Sequence, residues 1–220
     1  MKKADVLRRI KEVGLLPVLR ASSADEALAL AWAIEAGGIS AIEVTMTVPG
    51  AIDVIEILAR EAGDRILIGA GTVLDPETAR ACMLAGASFI VSPALNLKTI
   101  EICHRYSIAI IPGALTPTEV VTAWDAGADV VKVFPCSAMG GAKYLKALKA
   151  PFPQIELIPT GGVSLSTAAE FLAAGAFALG VGADLVNAHA IAAGTPETIT
   201  HNARQYVEIV RAATAMHTAN

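Results

Sequence analysis

The amino-acid sequence predicts an α/β fold, a parallel (β/α)8 barrel of the TIM type with an extra N-terminal helix. Three observations carry that expectation. One pattern recurs four times, a helix ending in Ala-Gly or Gly-Gly followed by a short apolar strand. The copies are Glu35-Ala-Gly-Gly-Ile-Ser-Ala-Ile-Glu43, Leu84-Ala-Gly-Ala-Ser-Phe-Ile90, Asp125-Ala-Gly-Ala-Asp-Val-Val131 and Ala173-Ala-Gly-Ala-Phe-Ala-Leu179. Aligned on Gly37, Gly86, Gly127 and Gly175, they step by 49, 41 and 48 residues (86−37, 127−86, 175−127). A period of that size marks a repeated unit. Secondly, four strands of another type alternate with the copies. Thirdly, the strands are apolar throughout and alternate with helices, as parallel strands covered on both faces do. Each copy with the strand that alternates with it makes two strand–helix units, so four copies make eight. An open doubly wound sheet is the alternative, which the regular repeat disfavours.

The elements follow in order. Residues 3–12 form the extra helix, placed to cap the barrel bottom. Strand one is Leu15-Leu-Pro-Val-Leu-Arg20, and Ser22-Ser-Ala-Asp-Glu26 supplies a cap and early carboxylates for the helix after it. Strand two is Ala41-Ile-Glu-Val-Thr45, and strand three is Ile66-Leu-Ile-Gly-Ala-Gly71. Leu74-Asp-Pro-Glu77 opens the next helix, and Phe89-Ile90 lies in strand four. Strand five is Ile108-Ala-Ile-Ile-Pro-Gly113, and Thr116-Pro-Thr-Glu119 puts proline in a first helical turn, where a missing N–H does no harm. Strand six is Val130-Val-Lys-Val-Phe134, and strand seven is Ile155-Glu-Leu-Ile-Pro-Thr160. Ser164-Leu-Ser-Thr167 opens another helix, strand eight begins near Leu179, and residues 196–213 form the last outer helix. Nothing reads as a linker, so residues 1–220 are expected to form one domain.

Composition narrows the function. The chain is 54% hydrophobic and only 17% charged, which suits one large core. A net charge of −4 leaves no basic footprint for nucleic acid. Every apolar stretch is broken by Gly, Pro or charge before membrane-spanning length, and no membrane partner is expected. Met1-Lys-Lys-Ala-Asp-Val-Leu-Arg-Arg-Ile10 lacks the apolar core of a secretory leader. Cys82, Cys103 and Cys136 are odd in number and widely spaced, which points to a reducing, cytoplasmic compartment and away from a metal site. Cys82 and Cys103 read as core fillers, whereas Cys136 follows strand six closely enough to line a site. His104, His189, His201 and His217 are scattered and read as surface or helix-end residues.

Lys132 is the anomaly. It interrupts a short β-branched run closed by Pro135. Burial penalises its ammonium form and so favours the nucleophilic free amine, the state a Schiff-base lysine needs. The bland alternative is a lysine whose head snorkels to water. Glu43 is equally out of place in strand two, where an ion pair with Arg20 or Lys132 is its structural explanation. In a β/α barrel the C-terminal strand ends share one rim, which gathers Arg20, Glu43, Thr72, Lys132 and Phe134. On that rim Lys132 is suited to attack a ketone and Glu43 to shuttle protons. Arg20 and Thr72 are suited to a substrate carboxylate, and Phe134 to an apolar wall. Gly161-Gly162 and the glycines of Leu179-Gly-Val-Gly-Ala183 lie after strands seven and eight, where barrels commonly bind phosphate.

Leu15-Leu-Pro-Val-Leu-Arg20, Ile42-Glu-Val-Thr45, Ile68-Gly-Ala-Gly-Thr72, Ser92-Pro93, Ile111-Pro-Gly113, Val131-Lys-Val-Phe-Pro135 and Ile158-Pro-Thr-Gly-Gly162 together resemble the 2-keto-3-deoxy-6-phosphogluconate and 4-hydroxy-2-oxoglutarate (KDPG/KHG) aldolase family over residues 13–187. The resemblance implies a class I aldolase, using no metal or other cofactor, that acts on a small keto acid and assembles as a homotrimer. It places the Schiff base on Lys132 and proton transfer on Glu43. Thr72 falls on the carboxylate-binding position, Arg20, Pro93, Phe134 and Thr160 on the pocket lining, and Gly161, Gly162 and Gly182 on the phosphate site. Two positions depart from the family. Met46-Thr47-Val48 stands where some members carry a phosphate-binding arginine, and Ala183 where some carry serine. Both departures leave room for a smaller substrate or for the galactonate-derived epimer. A non-covalent phosphate-binding isomerase or synthase and a catalytically silent scaffold remain as competing readings.

Overall fold

A computed structural model describes residues 1–218. Nine parallel strands alternate with ten helices among the described residues. The strands are β1 (Leu15–Leu19), β2 (Ala41–Thr45), β3 (Leu67–Gly71), β4 (Phe89–Val91), β5 (Ala109–Ile111), β6 (Gly113–Ala114), β7 (Val131–Val133), β8 (Leu157–Pro159) and β9 (Leu179–Val181). The helices are α1 (Lys3–Val13), α2 (Ala24–Ala36), α3 (Ala51–Ala62), α4 (Pro76–Leu84), α5 (Leu97–Arg105), α6 (Pro117–Asp125), α7 (Ala142–Lys149), α8 (Ala168–Ala173), α9 (Ala188–Ala192) and α10 (Pro196–Thr218).

One sheet runs β5-β4-β3-β2-β1-β9 and a second runs β6-β7-β8. Their margins approach each other on both sides. At one, β5 and β6 are a single extended segment interrupted at Pro112, which has no N–H to give to a ladder. Pro112 O still accepts a hydrogen bond from Lys132 N at 2.9 Å. At the other, Thr160 bridges Gly180 in parallel, and Phe177 N donates to Leu157 O at 2.8 Å. The result is a curled parallel sheet with helices outside it. The fifth expected strand is therefore split in two. Gly113 follows the break because a Cβ there would meet the Pro93 carbonyl carbon at 2.2 Å.

The expected repeat is present but shifted by one residue in its first copy. Gly86, Gly127 and Gly175 have φ of 103°, 92° and 92°. In the first copy the left-handed position falls on Gly38, at φ 95°, while Gly37 stays right-handed at −83°. Gly37 is there for packing: a Cβ would lie 2.3 Å from Ala203 Cβ of α10.

The helix starts follow the sequence signals. Ser23 caps α2, Asp75 caps α4, and Thr116 with Glu119 forms a reciprocal capping box on α6. Residues 164–167 form a turn rather than a first helical turn. Thr167 Oγ1 accepts from Ser164 N and donates to Gly162 O, and α8 starts at Ala168.

Strand periodicity sorts the core into two layers. Ile42, Val44, Ile68, Ala70, Val131 and Val133 pack outward against the helices. Leu16, Ala41, Leu67, Phe89, Val91, Ala109, Ile111, Val130, Ile158 and Ala178 form a separate inner cluster, which Val6 and Ile10 of α1 join from one end. Burying each large aliphatic side chain contributes about 1.5–3 kcal/mol before conformational entropy is charged against it.

Candidate active site

Residues two positions beyond an inner-layer residue face the same interior. Val130 is inner, so Lys132 is inner; Ala41 is inner, so Glu43 is inner. The geometry agrees. Lys132 Nζ stands 3.4 Å from Glu43 Oε1, with side-chain exposures of 5% and 1%. The lysine does not snorkel. The ring of Phe134, on the same face, has its centroid 5.7 Å from Nζ. A pair this dry is held by strong attraction against a heavy desolvation cost, so it is weak evidence for stability and good evidence for chemistry.

Space for the pair comes from glycine. A Cβ on Gly71 would lie 2.1 Å from Glu43 Oε1, and a Cβ on Gly69 would lie 2.2 Å from the Phe89 ring. Thr45, the next inward residue of β2, donates its hydroxyl to Leu19 O at 2.9 Å and so ties β2 to β1.

The other expected residues follow the C-terminal ends of their strands. Thr72 follows Gly71 at φ 57°, a left-handed conformation unusual for a β-branched residue. Thr160 is 5% exposed, and its Oγ1 has no hydrogen-bond partner among the described residues. Gly180 leaves room for it, since a Cβ there would lie 2.1 Å from that oxygen. Pro93 is half-buried against Gly113. Gly161 and Gly162 turn with φ of 93° and 79°, and Thr160 O accepts from Cys136 N at 2.9 Å. Arg20 lies just past β1 and is exposed, with Nη1 3.9 Å from where a Cβ on Gly182 would be. The structure thus pairs Lys132 with Glu43, whereas Arg20 lies beside the Gly182 turn rather than on Glu43. Cys136 is buried, and burial pushes its thiol up to about 11, so no thiolate is available.

A family model for "KDPG and KHG aldolase" matches residues 6–202. The chain belongs to the KDPG and KHG aldolase family. It is similar to the 2-dehydro-3-deoxy-phosphogluconate aldolase of Treponema pallidum, 35% identical over 93% of this chain and 97% of that one. It is 37% identical to the KHG/KDPG aldolase of Escherichia coli, over 88% of this chain and 91% of that one. Among solved structures it matches KDPG aldolase from Legionella pneumophila, with pyruvate captured as a covalent carbinolamine intermediate. The TM-score there is 0.82 at 31% identity, covering 93% of this chain and 97% of that one. The family's name is that of an aldolase, and the Legionella pneumophila structure holds pyruvate as a covalent adduct. Among the described residues no three His, Cys, Asp or Glu side chains are grouped to hold a metal ion. No described helix is long and apolar enough to cross a membrane.

Several residues around the aldolase site escaped the sequence reading. Ser137, in a 3-10 turn at Cys136–Met139, packs its Cβ 2.6 Å from where a Cβ on Gly162 would stand. Tyr206 of α10 donates its hydroxyl to Asp184 Oδ2, which also accepts from Leu165 N at 3.3 Å. Burial and that bond push the phenol well above the usual range. His189 of α9 lines a cavity with Arg20. No periodicity marks Ser137 or His189, whereas Tyr206 lies on the buried stripe Ile199, Ala203, Tyr206 and Val210 of α10.

Proposed function

We propose that this family member is a class I aldolase that cleaves 2-keto-3-deoxy-6-phosphogluconate to pyruvate and glyceraldehyde 3-phosphate. The same site would cleave 4-hydroxy-2-oxoglutarate to pyruvate and glyoxylate. The observation that carries this is the buried Lys132 amine, 3.4 Å from the Glu43 carboxylate.

Lys132 Nζ attacks the C2 ketone and, with loss of water, forms an iminium. Glu43, through one bridging water, takes the proton of the C4 hydroxyl. The C3–C4 bond breaks, its electrons pass into the iminium to give an enamine, and the aldehyde leaves. Protonation of the enamine at C3 restores an iminium. Water then hydrolyses it, releasing pyruvate and the free amine. Thr72 holds the substrate carboxylate, Phe134 and Pro93 wall the reacting carbons, and Arg20 and Thr160 line the pocket. Gly161, Gly162 and Gly182 offer backbone N–H groups to phosphate.

The whole chain is read as one domain whose two sheets close into a single (β/α)8 barrel, with α1 as the extra helix at its lower end. The strand approaches at Pro112 and at Thr160–Gly180 support that closure. A homotrimer is the expected assembly, supported by exposed Leu84, Leu97 and Trp124 on a chain of low charge. Three buried free thiols suit a cytoplasmic setting.

Borohydride added with pyruvate tests the mechanism. A stable mass on the peptide containing Lys132, lost in Lys132→Ala along with turnover, is the expected result. No adduct, with activity surviving loss of the amine, would return the protein to the non-covalent barrel enzymes. Turnover compared on the gluconate-derived, galactonate-derived and hydroxyoxoglutarate substrates ranks the specificity.

A further inference from the structure

A cavity opens beside the Gly182 turn. Arg20, Ala21, Ser22, Glu26, His189 and Ala192 line a cavity of about 540 Å³ between the β1–α2 turn and α9. Arg20 joins it to the glycine turns, since Nη1 stands 3.9 Å from where a Cβ on Gly182 would be. Three of the six lining residues carry charge or can carry it, in a chain where only 17% of residues are charged.

The carboxylate in this chamber is already engaged. Glu26 accepts from Ser22 N at 2.5 Å and from Ser22 Oγ at 2.8 Å. Those bonds, with a smaller attraction from His189, hold its carboxyl below the usual range. Glu26 therefore pins the segment that carries Arg20. Arg20, just past β1, and His189 of α9 both line the cavity. On the far side of β1, the turn after β2 contributes Met46, Thr47 and Val48, none of them charged.

We infer that His189, together with Arg20, binds the phosphate ester at the far end of the keto-acid substrate across the Gly182 turn. His189 is on this view a specificity-determining residue, and Arg20 serves the distal anion rather than the carboxylate beside Lys132. A phosphate dianion offers more acceptors than two glycine turns satisfy, and a planar guanidinium and an imidazole N–H approach it from the open side. The inference rests on the aldolase reading.

The test compares kcat/KM on 2-keto-3-deoxy-6-phosphogluconate with kcat/KM on 2-keto-3-deoxygluconate, for the wild type, His189→Asn and His189→Lys. The ratio is expected to fall about tenfold in His189→Asn, the size of one lost charge-assisted hydrogen bond. It is expected to stay near the wild-type value in His189→Lys, whose longer side chain still brings N–H donors to the phosphate. His189 is exposed on a five-residue helix, so neither change threatens the fold. A ratio within twofold of wild type in His189→Asn, or one that falls equally far in His189→Lys, overturns the inference and leaves the aldolase standing. A wild-type protein that cleaves neither substrate overturns both.

Discussion

Gly71 and Glu43 compete for one volume: the point where a Cβ on Gly71 would stand is 2.1 Å from Glu43 Oε1 and 2.4 Å from its Cγ. The glycine is thus what lets the carboxylate lie flat across β3 and reach Lys132. Gly71→Ala is expected to push Glu43 off the amine by about an ångström. Misplacement on that scale costs about 100-fold in rate. Steady-state kcat is expected to fall by that factor while borohydride still traps pyruvate on Lys132. Loss of both together would mean that the barrel, not the carboxylate, had moved.

Thr72 stores strain beside the same carboxylate. A non-glycine residue at φ 57° costs roughly 1–2 kcal/mol, partly offset in a glycine variant by added chain entropy. Thr72→Gly is expected to raise Tm by about 3 °C and to lower kcat/KM about tenfold through loss of the hydroxyl. Calorimetry and kinetics on one preparation check both signs.

Removing one partner of a buried ion pair is harsher than removing both. Lys132→Met leaves the Glu43 carboxylate in a dry interior and is expected to cost about 3–5 kcal/mol, near 10 °C in Tm. The double variant Lys132→Met/Glu43→Gln is expected to recover most of that loss. Equal Tm values for the single and double variants would show that the pair is not coupled as the 3.4 Å contact implies.

Stability on the acid side should report the α6 capping box. The N–H groups of Thr116 and then Leu115, with the Thr116 hydroxyl, hold the Glu119 carboxyl below its usual range. A depressed folded-state value means that the stabilisation is complete above the ordinary carboxylate range, near pH 4.5. It is lost as pH falls through the lower folded value. Glu119→Gln is therefore expected to lower Tm at pH 7 and to flatten its decline as pH falls below the ordinary carboxylate range.

The sequence exposed what is locally anomalous or periodic. Lys132 and Glu43 were legible because charge is rare in apolar strands, and period two sets which wall they face. Helix caps at Ser23, Asp75 and Thr116 were legible because a cap and its target lie within three residues. The roles of Gly69 and Gly71 were not, because Phe89 and Glu43 reach them from neighbouring strands. The one-residue shift at Gly37–Gly38 was hidden because two adjacent glycines look equivalent until Ala203 of a distant helix selects between them. Ser137 and His189 sit in short segments with no periodicity, where only spatial neighbours give a side chain a task.

Helix α1 lays Val6 and Ile10 across the apolar end of the inner layer, and in the barrel proposed above that end is the covered one. On the proposed mechanism the pyruvyl half stays tethered to Lys132 after the C3–C4 bond breaks, which imposes a queue: aldehyde first, pyruvate after hydrolysis. Product-inhibition patterns of an ordered one-substrate, two-product reaction would then be a consequence of that tether.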